Sequence, residues 1–537
     1  MQSQSFIVSL QKHKGSVMAA KYPIGIQTFE KVIENGMIYV DKTALVYRMV
    51  HGTQNIFLSR PRRFGKSLLV TTLQAYFEGR KELFKGLAID KLEKDWIKYP
   101  VIHLDLSSGK YAAIENLKSV LNDILHDYED QFDVDVQSES SYGTRLKNII
   151  QGAVRKTGHQ AVVLIDEYDA PMLDSNDKPE LQVRIRDIMR DFFSPLKAQE
   201  ANLRFVFLTG ITKFSQLSIF SELNNIKNYS LDDEFATICG FTQDEMLANF
   251  HEGIEELAKA RGLTFDEAVA KLKEQYDGYH FTENCPNIYN PYSLLNALYD
   301  KKIGNYWFST GTPTFLLDLL KGSNILLPEL EGITATEDMF DTPTDSITSP
   351  IPVLYQSGYI TIKESRNGMY KLGIPNEEVR QGLSQSMLRY IAPNYTLQRG
   401  TFVWNFDEAM RADDIDAAME ALKVYLAGFP YDIHRNDEAI CQAILYSIFN
   451  TLNFTIRAEV KTATGRLDLV VSTNTSIFVM ELKYDKSPDV ALEQIESKQY
   501  TLPYMQDKRN VFEVGINFSS KEKTIVEWKF KKLKNAN

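Results

Sequence analysis

The stretch Ser59-Arg60-Pro61-Arg62-Arg63-Phe64-Gly65-Lys66-Ser67 separates an apolar run from a helical pattern. A strand, a loop ending in Gly-Lys-Ser and a helix are typical of a phosphate-binding loop, in which backbone N–H groups surround phosphates at the positive end of the helix. The lysine reaches the phosphates and the hydroxyl ligates Mg²⁺. The motif predicts that ATP is bound by Arg62, Arg63, Phe64, Gly65, Lys66 and Ser67, with Lys66 acting in catalysis and Ser67 ligating Mg²⁺.

One position departs from this pattern. The first glycine of GxxxxGK[ST] would fall at residue 60, which is Arg60, and Pro61 and two further arginines follow it. The alternative interpretation is a basic turn that matches Gly-Lys-Ser by chance, and the loop alone does not separate the two.

A pair of acids favours the nucleotide site. Val162-Val163-Leu164-Ile165 is an apolar run that ends in Asp166 and Glu167. Two carboxylates at the end of a buried strand are costly to desolvate, so they indicate a function. Phosphoryl transfer needs Mg²⁺ near the γ-phosphate and a group that orients the attacking water. We expect Asp166 to bind the metal and Glu167 to act on the water.

The next apolar run supplies a further candidate. It ends in Thr209, and a polar group there can contact the γ-phosphate or the attacking water, with Lys213 as a weaker candidate. Arg62 and Arg63 either neutralise phosphate charge in cis or serve a neighbouring subunit, which leaves a homo-oligomer open.

Length and hydrophobic pattern predict several domains. The chain has 537 residues, and chains beyond roughly 250–300 residues divide into domains. In the first 240 residues, apolar runs alternate with helical patterns, which predicts an α/β domain on a parallel sheet. The expected strands are Asn55–Ser59, Val101–Leu106, Ala161–Ile165 and Arg204–Thr209, and the expected helices include Leu68–Glu78 and Leu181–Lys197. We predict domains at 1–240, 241–395 and 396–537.

The middle region is predicted to be helical with a winged-helix-like unit. Phe241–Tyr276 has a helical pattern. A further helix, Ile351–Gly358, precedes two strands, Tyr359–Lys363 and Met369–Leu372, which are joined by an Asn-Gly turn. A helix followed by such a hairpin suits a winged helix, which either contacts DNA or serves as a packing module.

The C-terminal region is predicted to form a second α/β domain. Its expected helices are Asp407–Leu426, Asp437–Leu452 and Val490–Tyr504, and its expected strands are Thr455–Thr462, Gly465–Ser472, Ser476–Leu482 and Asn510–Asn517. The last residues are rich in lysine, which indicates either a solvated strand or helix or a contact with nucleic acid.

A second acidic cluster lies in this region. Asp468 falls within one expected strand, and the next ends in Glu481-Leu482-Lys483. Asp468 and Glu481 suit a Mg²⁺ site for phosphodiester cleavage, with Glu438 completing the metal shell and Lys483 steering the water or stabilising developing charge. The alternative is a surface hairpin whose exposed Glu–Lys pair is worth under about 1 kcal/mol.

Several motifs together resemble a known family. The chain is similar to the AAA-ATPase-like family common in bacteria in the following runs: Tyr22–Gly25, Tyr39–Thr43, Arg60–Ser67, Ile165–Asp169, Thr209–Lys213, Phe220–Asn225, Tyr276–Phe281 and Gly373–Arg380. That family also lacks the first glycine. The second acidic cluster resembles the PD-(D/E)xK nuclease fold. Members of the AAA-ATPase-like family often end in a domain of that fold. The resemblance implies a P-loop AAA-like ATPase domain and a C-terminal restriction-endonuclease-like domain.

Composition and charge limit the partners and the cellular compartment that we expect for the chain. A net charge of −11 argues against a surface covered in nucleic-acid-binding charge, although a local basic groove is compatible with it. No apolar run approaches the ~20 residues of a membrane span, and the first residues lack the apolar core of a secretory signal. The three cysteines, Cys239, Cys285 and Cys441, are far apart, as expected for thiols in a reducing cytoplasm.

Two functions remain open at this stage. The first is an ATPase coupled to a Mg²⁺-dependent nuclease acting on nucleic acid, with DNA favoured over RNA. The second is a nucleotide-dependent switch whose C-terminal domain only binds a partner or nucleic acid.

Overall fold

The computed structural model describes most of the chain. The described residues are 21–135, 140–175, 178–213, 226–309, 320, 327–341, 349–391, 396–427, 445–450, 455–462, 465–522 and 524–534. The 220–225 motif, Glu438 and Cys441 lie outside them.

A parallel five-stranded sheet organises the N-terminal region. Its strand order is β2-β3-β4-β1-β5, and its strands are β1 (Asn55–Ser59), β2 (Val101–Asp105), β3 (Ala161–Asp166), β4 (Leu203–Gly210) and β5 (Lys227–Asn228). Every residue of β1 and β3 is buried, because helices cover both faces. The expected α/β fold on a parallel sheet is confirmed, and four of the strands match their predicted positions to within a residue.

Nine helices that surround this sheet have defined bounds. They are α1 (Phe29–Glu34), α2 (Thr43–Val50), α3 (Lys66–Phe77), α4 (Ala88–Leu92), α5 (Ile114–Gln131), α6 (Tyr142–Thr157), α7 (Ala170–Asp174), α8 (Pro179–Phe193) and α9 (Pro195–Ala198). The single helix expected at Leu181–Lys197 is wrong. It divides at Ser194, because Pro195 has no N–H to continue the helical hydrogen bonds.

The middle region contains helices and a three-stranded antiparallel sheet. The helices are α10 (Gln243–Arg261), α11 (Phe265–Tyr276), α12 (Pro291–Asp300), α13 (Tyr306–Ser309), α14 (Glu337–Phe340), α15 (Ile351–Gln356) and α16 (Glu377–Ile391). The strands are β6 (Ile333–Thr336), β7 (Thr361–Arg366) and β8 (Met369–Gly373). Asn367 (φ 53°) and Gly368 (φ 74°) form the β7–β8 turn. Positive φ at both positions is what a two-residue hairpin turn requires.

The C-terminal region is built on a mixed sheet with the order β13-β12-β11-β10-β9. Its strands are β9 (Thr455–Thr462), β10 (Gly465–Ser472), β11 (Ser476–Tyr484), β12 (Asn510–Ser519) and β13 (Thr524–Lys534). Its helices are α17 (Thr396–Arg411), α18 (Ile415–Ala427) and α19 (Pro488–Ser497), with a helical segment at 445–450. The lysine-rich end is therefore a strand.

Two predicted helices of this region are wrong in length. Asp407–Leu426 is interrupted at Asp413, which has a φ of 59°. The Asp413 carboxylate accepts hydrogen bonds from Ser476 Oγ at 2.5 Å and Asn510 Nδ2 at 2.7 Å, so the break joins α17 and α18 to the sheet. The helix expected at Val490–Tyr504 ends at Ser497, just before Gln499 (φ 53°).

Buried apolar side chains connect the three regions. One continuous cluster includes Phe64 beside the N-terminal sheet, Ile362 of β7, Phe406 of α17 and Phe478 of β11. Within the described ranges, no helix is both long and apolar enough to cross a membrane. The boundaries at 240 and 395 stay predictions.

Candidate functional sites

The Gly-Lys-Ser loop closes tightly on itself. Gly65 has a φ of 95° and caps α3, whose first residue is Lys66. Lys66 is buried, and its Nζ donates to the carbonyl oxygens of Arg60 at 3.1 Å and Pro61 at 3.3 Å. The ammonium group is thereby held inside the loop at the N-terminus of a twelve-residue helix, where a phosphate is favoured.

Arg60 occupies the position of the missing glycine, and its side chain makes structural contacts. Its guanidinium is buried and donates to the carbonyl oxygens of Ser59 and Ser230, both at 2.9 Å. It also lies 4.3 Å from the centroid of the Phe281 ring. Burial lowers the pKa of this guanidinium. Arg60 therefore fastens the end of β1 to the segment after β5, and the sequence alone did not reveal that role.

Residues 62–64 of the loop face different surroundings. Arg63 (φ 67°) places its guanidinium 4.9 Å from the centroid of the Tyr292 ring. Phe64 is buried, with its ring centroid 4.8 Å from that of Tyr279. The carbonyl oxygen of Arg62 accepts a hydrogen bond from Trp307 Nε1 at 3.0 Å. The arginine-rich loop is thus fixed by contacts with the middle region.

Asp166 and Glu167 lie at the carboxyl end of β3, beside the loop. Asp166 is 4% exposed. Burial raises its pKa, while a hydrogen bond with Ser67 and the charge of Lys66 oppose that rise. Its Oδ1 is buried and has no hydrogen-bond partner. An unpartnered carboxylate oxygen next to the Ser67 hydroxyl is the donor set that Mg²⁺ prefers, so these residues fit the ion.

Glu167 has a backbone conformation that is uncommon for glutamate. Its φ is 49°, and its side chain lines the cavity in front of the loop. Burial raises the pKa of Glu167, Lys66 opposes the rise and Asp166 adds to it. A carboxylate held in a strained conformation beside a phosphate site suits the action on water that the sequence predicted.

Thr209 and Lys213 are engaged by other groups. Thr209 is fully buried, and its hydroxyl donates to the carbonyl oxygen of Leu58 at 2.8 Å. Lys213 Nζ pairs with Asp341 Oδ2 at 2.9 Å. Neither residue lines the cavity. A nucleotide role for Thr209 stays a prediction.

Asp169 organises the end of β4 and was not singled out as a site residue. Its Oδ2 accepts from Ile211 N at 3.0 Å and from both the N and Oγ1 of Thr212 at 2.7 Å. The sequence contained a signal for Asp169, because this residue ends the Ile165–Asp169 run that resembles the AAA-ATPase-like family.

A cavity of about 360 Å³ opens in front of the loop. Its lining includes Gly65, Lys66 and Ser67 of the loop together with residues 23–27, 38–40, 238–241, 291–292 and 295. Lys42 also lines it, buried and paired with Glu245 at 2.6 Å. Burial lowers the pKa of Lys42, and Glu245 opposes that fall. A mostly apolar cavity whose lining also includes the cations Lys42, Arg62, Arg63 and Lys66 matches a nucleotide with its phosphates on the loop.

The second acidic cluster forms on neighbouring strands. Leu469 of β10 pairs with Met480 of β11, so Asp468 and Glu481 are opposite each other one step further along. Asp468 Oδ2 accepts from Leu482 N at 2.8 Å, and Asp468 N donates to Glu481 Oε2 at 3.4 Å. Lys483 Nζ pairs with Glu481 Oε1 at 2.9 Å. The structure brings these three predicted residues together.

The two carboxylates fit a magnesium ion. Mg²⁺ is commonly held by one or two carboxylates with water and substrate phosphate completing its shell. Glu481 is 1% exposed, so the Glu481–Lys483 pair is not the exposed surface pair that the alternative interpretation required. Among the described residues, no group of three or more His, Cys, Asp or Glu side chains is arranged to hold a metal. Glu438, the expected additional ligand, lies outside those residues.

Comparisons with known proteins identify two families. Residues 23–220 match the family model described as a predicted AAA-ATPase, and residues 436–528 match the PD-(D/E)XK nuclease superfamily. A protein of Azotobacter chroococcum mcd 1, described as an uncharacterized protein in the vnfD 5' region, is 32% identical over 520 residues. That alignment covers 94% of this chain and 98% of the relative.

Solved structures give a distant likeness. The Aeropyrum pernix ORC2 protein (ADPNP-ADP complexes) is 12% identical, with 65% of this chain and 93% of that chain covered and a TM-score of 0.23. Cdc6p from Pyrobaculum aerophilum is 11% identical, with 67% and 94% covered and a TM-score of 0.23. With TM-scores this low, they carry no conclusion about this chain.

Proposed function

This chain belongs to the predicted AAA-ATPase family and carries a C-terminal PD-(D/E)XK nuclease domain, and from that premise we propose that ATP binding and hydrolysis control a Mg²⁺-dependent nuclease. The substrate class is nucleic acid, with DNA the first to test. Three groups of observations support the proposal: the ATP site, the acidic site on β10 and β11, and the contacts between the ATP-binding loop and the nuclease-like region.

At the ATP site, each residue has a separate task. Lys66 and the N-terminus of α3 neutralise phosphate charge. Ser67 and Asp166 would hold Mg²⁺, which would supply further charge neutralisation at the phosphates. Glu167 orients the attacking water and accepts its proton. Burial raises the pKa of Glu167, which brings it closer to neutral pH and makes it a better proton acceptor.

At the acidic site, Asp468 and Glu481 would hold Mg²⁺, which would supply polarisation of the phosphodiester and activation of the attacking water. Lys483 stabilises the negative charge that develops on the phosphate. Its side chain is 12% exposed, and a cation is more effective where water is largely excluded.

One line of contacts runs from the ATP-binding loop to the nuclease-like region and carries the proposal of control. Trp307 donates its Nε1 to the Arg62 carbonyl in the ATP-binding loop. Its backbone N donates to Glu378 Oε1 at 2.7 Å. Glu378 is the second residue of helix α16, and Arg380, half a turn later, donates to Tyr446 OH at 2.8 Å. Tyr446 lies within the stretch that matches the nuclease superfamily.

Each of these contacts is in a position to respond to the loop. A phosphate bound to residues 62–67 changes the hydrogen bonds that the loop backbone makes. That backbone includes the Arg62 carbonyl, which accepts from Trp307 Nε1. Arg380 is further fixed by Glu331, whose Oε1 lies 2.6 Å from its Nη1. A shift of α16 therefore moves a charged group that contacts the nuclease domain.

The decisive experiment measures ATPase and nuclease activity on the same preparations. Purified full-length protein is assayed with Mg²⁺, with and without ATP, on single- and double-stranded DNA and RNA. The variants are Lys66→Ala, Asp468→Ala and Trp307→Phe, with Trp404→Phe as the matched control, because Trp404 is 72% exposed. We expect Lys66→Ala to lose both ATP turnover and the ATP dependence of cleavage, and Asp468→Ala to lose cleavage alone.

The Trp307→Phe variant tests whether ATP controls cleavage through the Trp307 contacts. It should keep both activities but reduce the effect of ATP on cleavage, whereas Trp404→Phe should behave as wild type. Substrates left equally intact by wild type and Asp468→Ala would refute the nuclease and leave the nucleotide-dependent switch. That alternative predicts slow hydrolysis and an ATP-dependent change in molecular mass by light scattering.

A further inference from the structure

Asn517 of β12 lies next to the acidic site and has no assigned role. In the parallel pairing of β11 and β12, Glu481 is in register with Gly515 and Lys483 with Asn517. Register partners on neighbouring strands point to the same face of a sheet, about 4.8 Å apart along the hydrogen-bonding direction. The Asn517 side chain is therefore beside that of Lys483, on the face that carries Asp468 and Glu481.

The local backbone marks this position as unusual. Asn517 pairs with Glu527 on β13, but Phe518 pairs with Ile525, so the pairing is irregular directly after Asn517. Such bulges re-aim side chains and are frequent beside active sites. Gly515 allows the adjacent approach of α19, since a Cβ there would lie 2.4 Å from the carbonyl oxygen of Pro488.

The Asn517 amide has an unused acceptor. Its Oδ1 is buried and has no hydrogen-bond partner. A buried acceptor without a donor is costly, so such an atom in a native protein calls for an explanation, and a donor that arrives at another stage is one. The donor closest in register is the Lys483 ammonium, which now binds Glu481 Oε1.

A metal ion on Glu481 competes with Lys483 for the same carboxylate. A lysine released from its carboxylate in a largely buried site needs another acceptor. We infer that Asn517 Oδ1 is that acceptor, which makes Asn517 a positioning residue for Lys483 once Glu481 holds the metal. This inference rests on the proposed nuclease site.

The test measures metal binding by itself, so that it does not depend on cleavage. Mn²⁺, which shares the oxygen-ligand preference of Mg²⁺, is titrated without nucleotide into full-length protein, and free Mn²⁺ is counted by electron paramagnetic resonance. Asp468→Ala defines which binding belongs to this site. Asn517→Leu removes the acceptor at similar volume, and Asn517→Asp retains one.

We expect Asn517→Leu to weaken Mn²⁺ binding about tenfold, the size of one hydrogen bond to a charged group. In a Lys483→Met background the same substitution should change the affinity less than twofold, since no ammonium then needs the acceptor. Asn517→Asp should bind Mn²⁺ at least as tightly as wild type, which separates the acceptor from any effect on folding.

Two results would overturn the inference in distinguishable ways. If Asn517→Leu has the same effect with and without Lys483, Asn517 does not act through that lysine, and the metal site itself stands. If Asp468→Ala leaves Mn²⁺ binding unchanged, the metal site is absent, and the proposed nuclease falls together with the inference.

Discussion

Gly358 lies so close to Pro61 that a Cβ on the glycine would be 2.6 Å from the proline Cβ. Gly358 also has a φ of 84°. It follows helix α15 in the middle region, and Pro61 belongs to the ATP-binding loop. The loop is therefore shaped by a neighbour about 300 residues away in sequence, and this contact can be tested.

Gly358→Ala should lower both stability and ATP affinity. A left-handed conformation costs an alanine about 1–2 kcal/mol, and the clash with Pro61 adds to this by displacing the loop. Gly262→Ala is the matched control, since Gly262 has a φ of 65° and no atom within 4 Å of the added Cβ. Thermal denaturation and calorimetric ATP binding measure the two effects. Equal losses of ATP affinity in both variants would show that the Pro61 contact is unimportant.

Glu167→Gln should separate ATP binding from hydrolysis. Removal of a general base slows the chemical step by roughly 10²–10⁴-fold, while the amide still fits the cavity, so ATP affinity should stay near wild type. Wild-type hydrolysis should decline on acidification at a higher pH than an ordinary glutamate would give, because burial raises the pKa of Glu167. Steady-state ATPase rates across pH provide the measurement. Unchanged turnover in Glu167→Gln would remove this residue from the mechanism.

Glu378→Gln should alter how stability depends on pH. Burial raises the pKa of Glu378 to about 7, whereas an unfolded glutamate titrates near pH 4.3. A raised carboxyl pKa means that the folded state holds the proton more tightly. The stability from that proton is present below about pH 4.3 and is lost as the pH rises through about 7.

The glutamine variant cannot lose this proton, although it keeps an acceptor for Trp307. Between about pH 4.5 and 7 its melting temperature should therefore fall less, or rise more, than that of wild type. Differential scanning calorimetry at several pH values measures this difference. Parallel curves for the two proteins would contradict the titration of Glu378 in that range.

Glu245→Gln should destabilise the wall of the nucleotide cavity. Lys42 is buried and pairs with both oxygens of Glu245 at 2.6 Å, and loss of the carboxylate leaves a buried ammonium poorly compensated, at a cost of roughly 1–3 kcal/mol. Glu256→Gln is the control on the same helix, because the Glu256–Lys301 pair is about half exposed and such pairs contribute little. Urea denaturation compares the two. A larger effect from Glu256→Gln would contradict the role given to Lys42.

Local sequence patterns predicted the type and position of helices and strands more accurately than the residues at which they end. Strands buried on both faces, such as Ala161–Asp166, are recognisable because they contain a continuous apolar run, here residues 161–165. The boundaries failed where one residue redirects the chain, as at Ser194 before Pro195 and at Asp413, whose positive φ is stabilised by hydrogen bonds from Ser476 and Asn510. Those partners are 63 and 97 residues away, so a local pattern has no access to them.

The sequence by itself determined the types of chemistry: a Gly-Lys-Ser loop after a buried strand, an acid pair ending another, and an Asp…Glu-x-Lys pattern on a hairpin. These follow from short-range order, because strand, turn and helix preferences place neighbouring residues. Only the tertiary structure decided that Arg60 fastens the loop, that Thr209 bonds to β1, that Lys42 enters the cavity and that Asn517 stands beside Lys483. Each depends on burial and on partners from distant segments, which set the free energy of a polar group and are not encoded in its immediate neighbours.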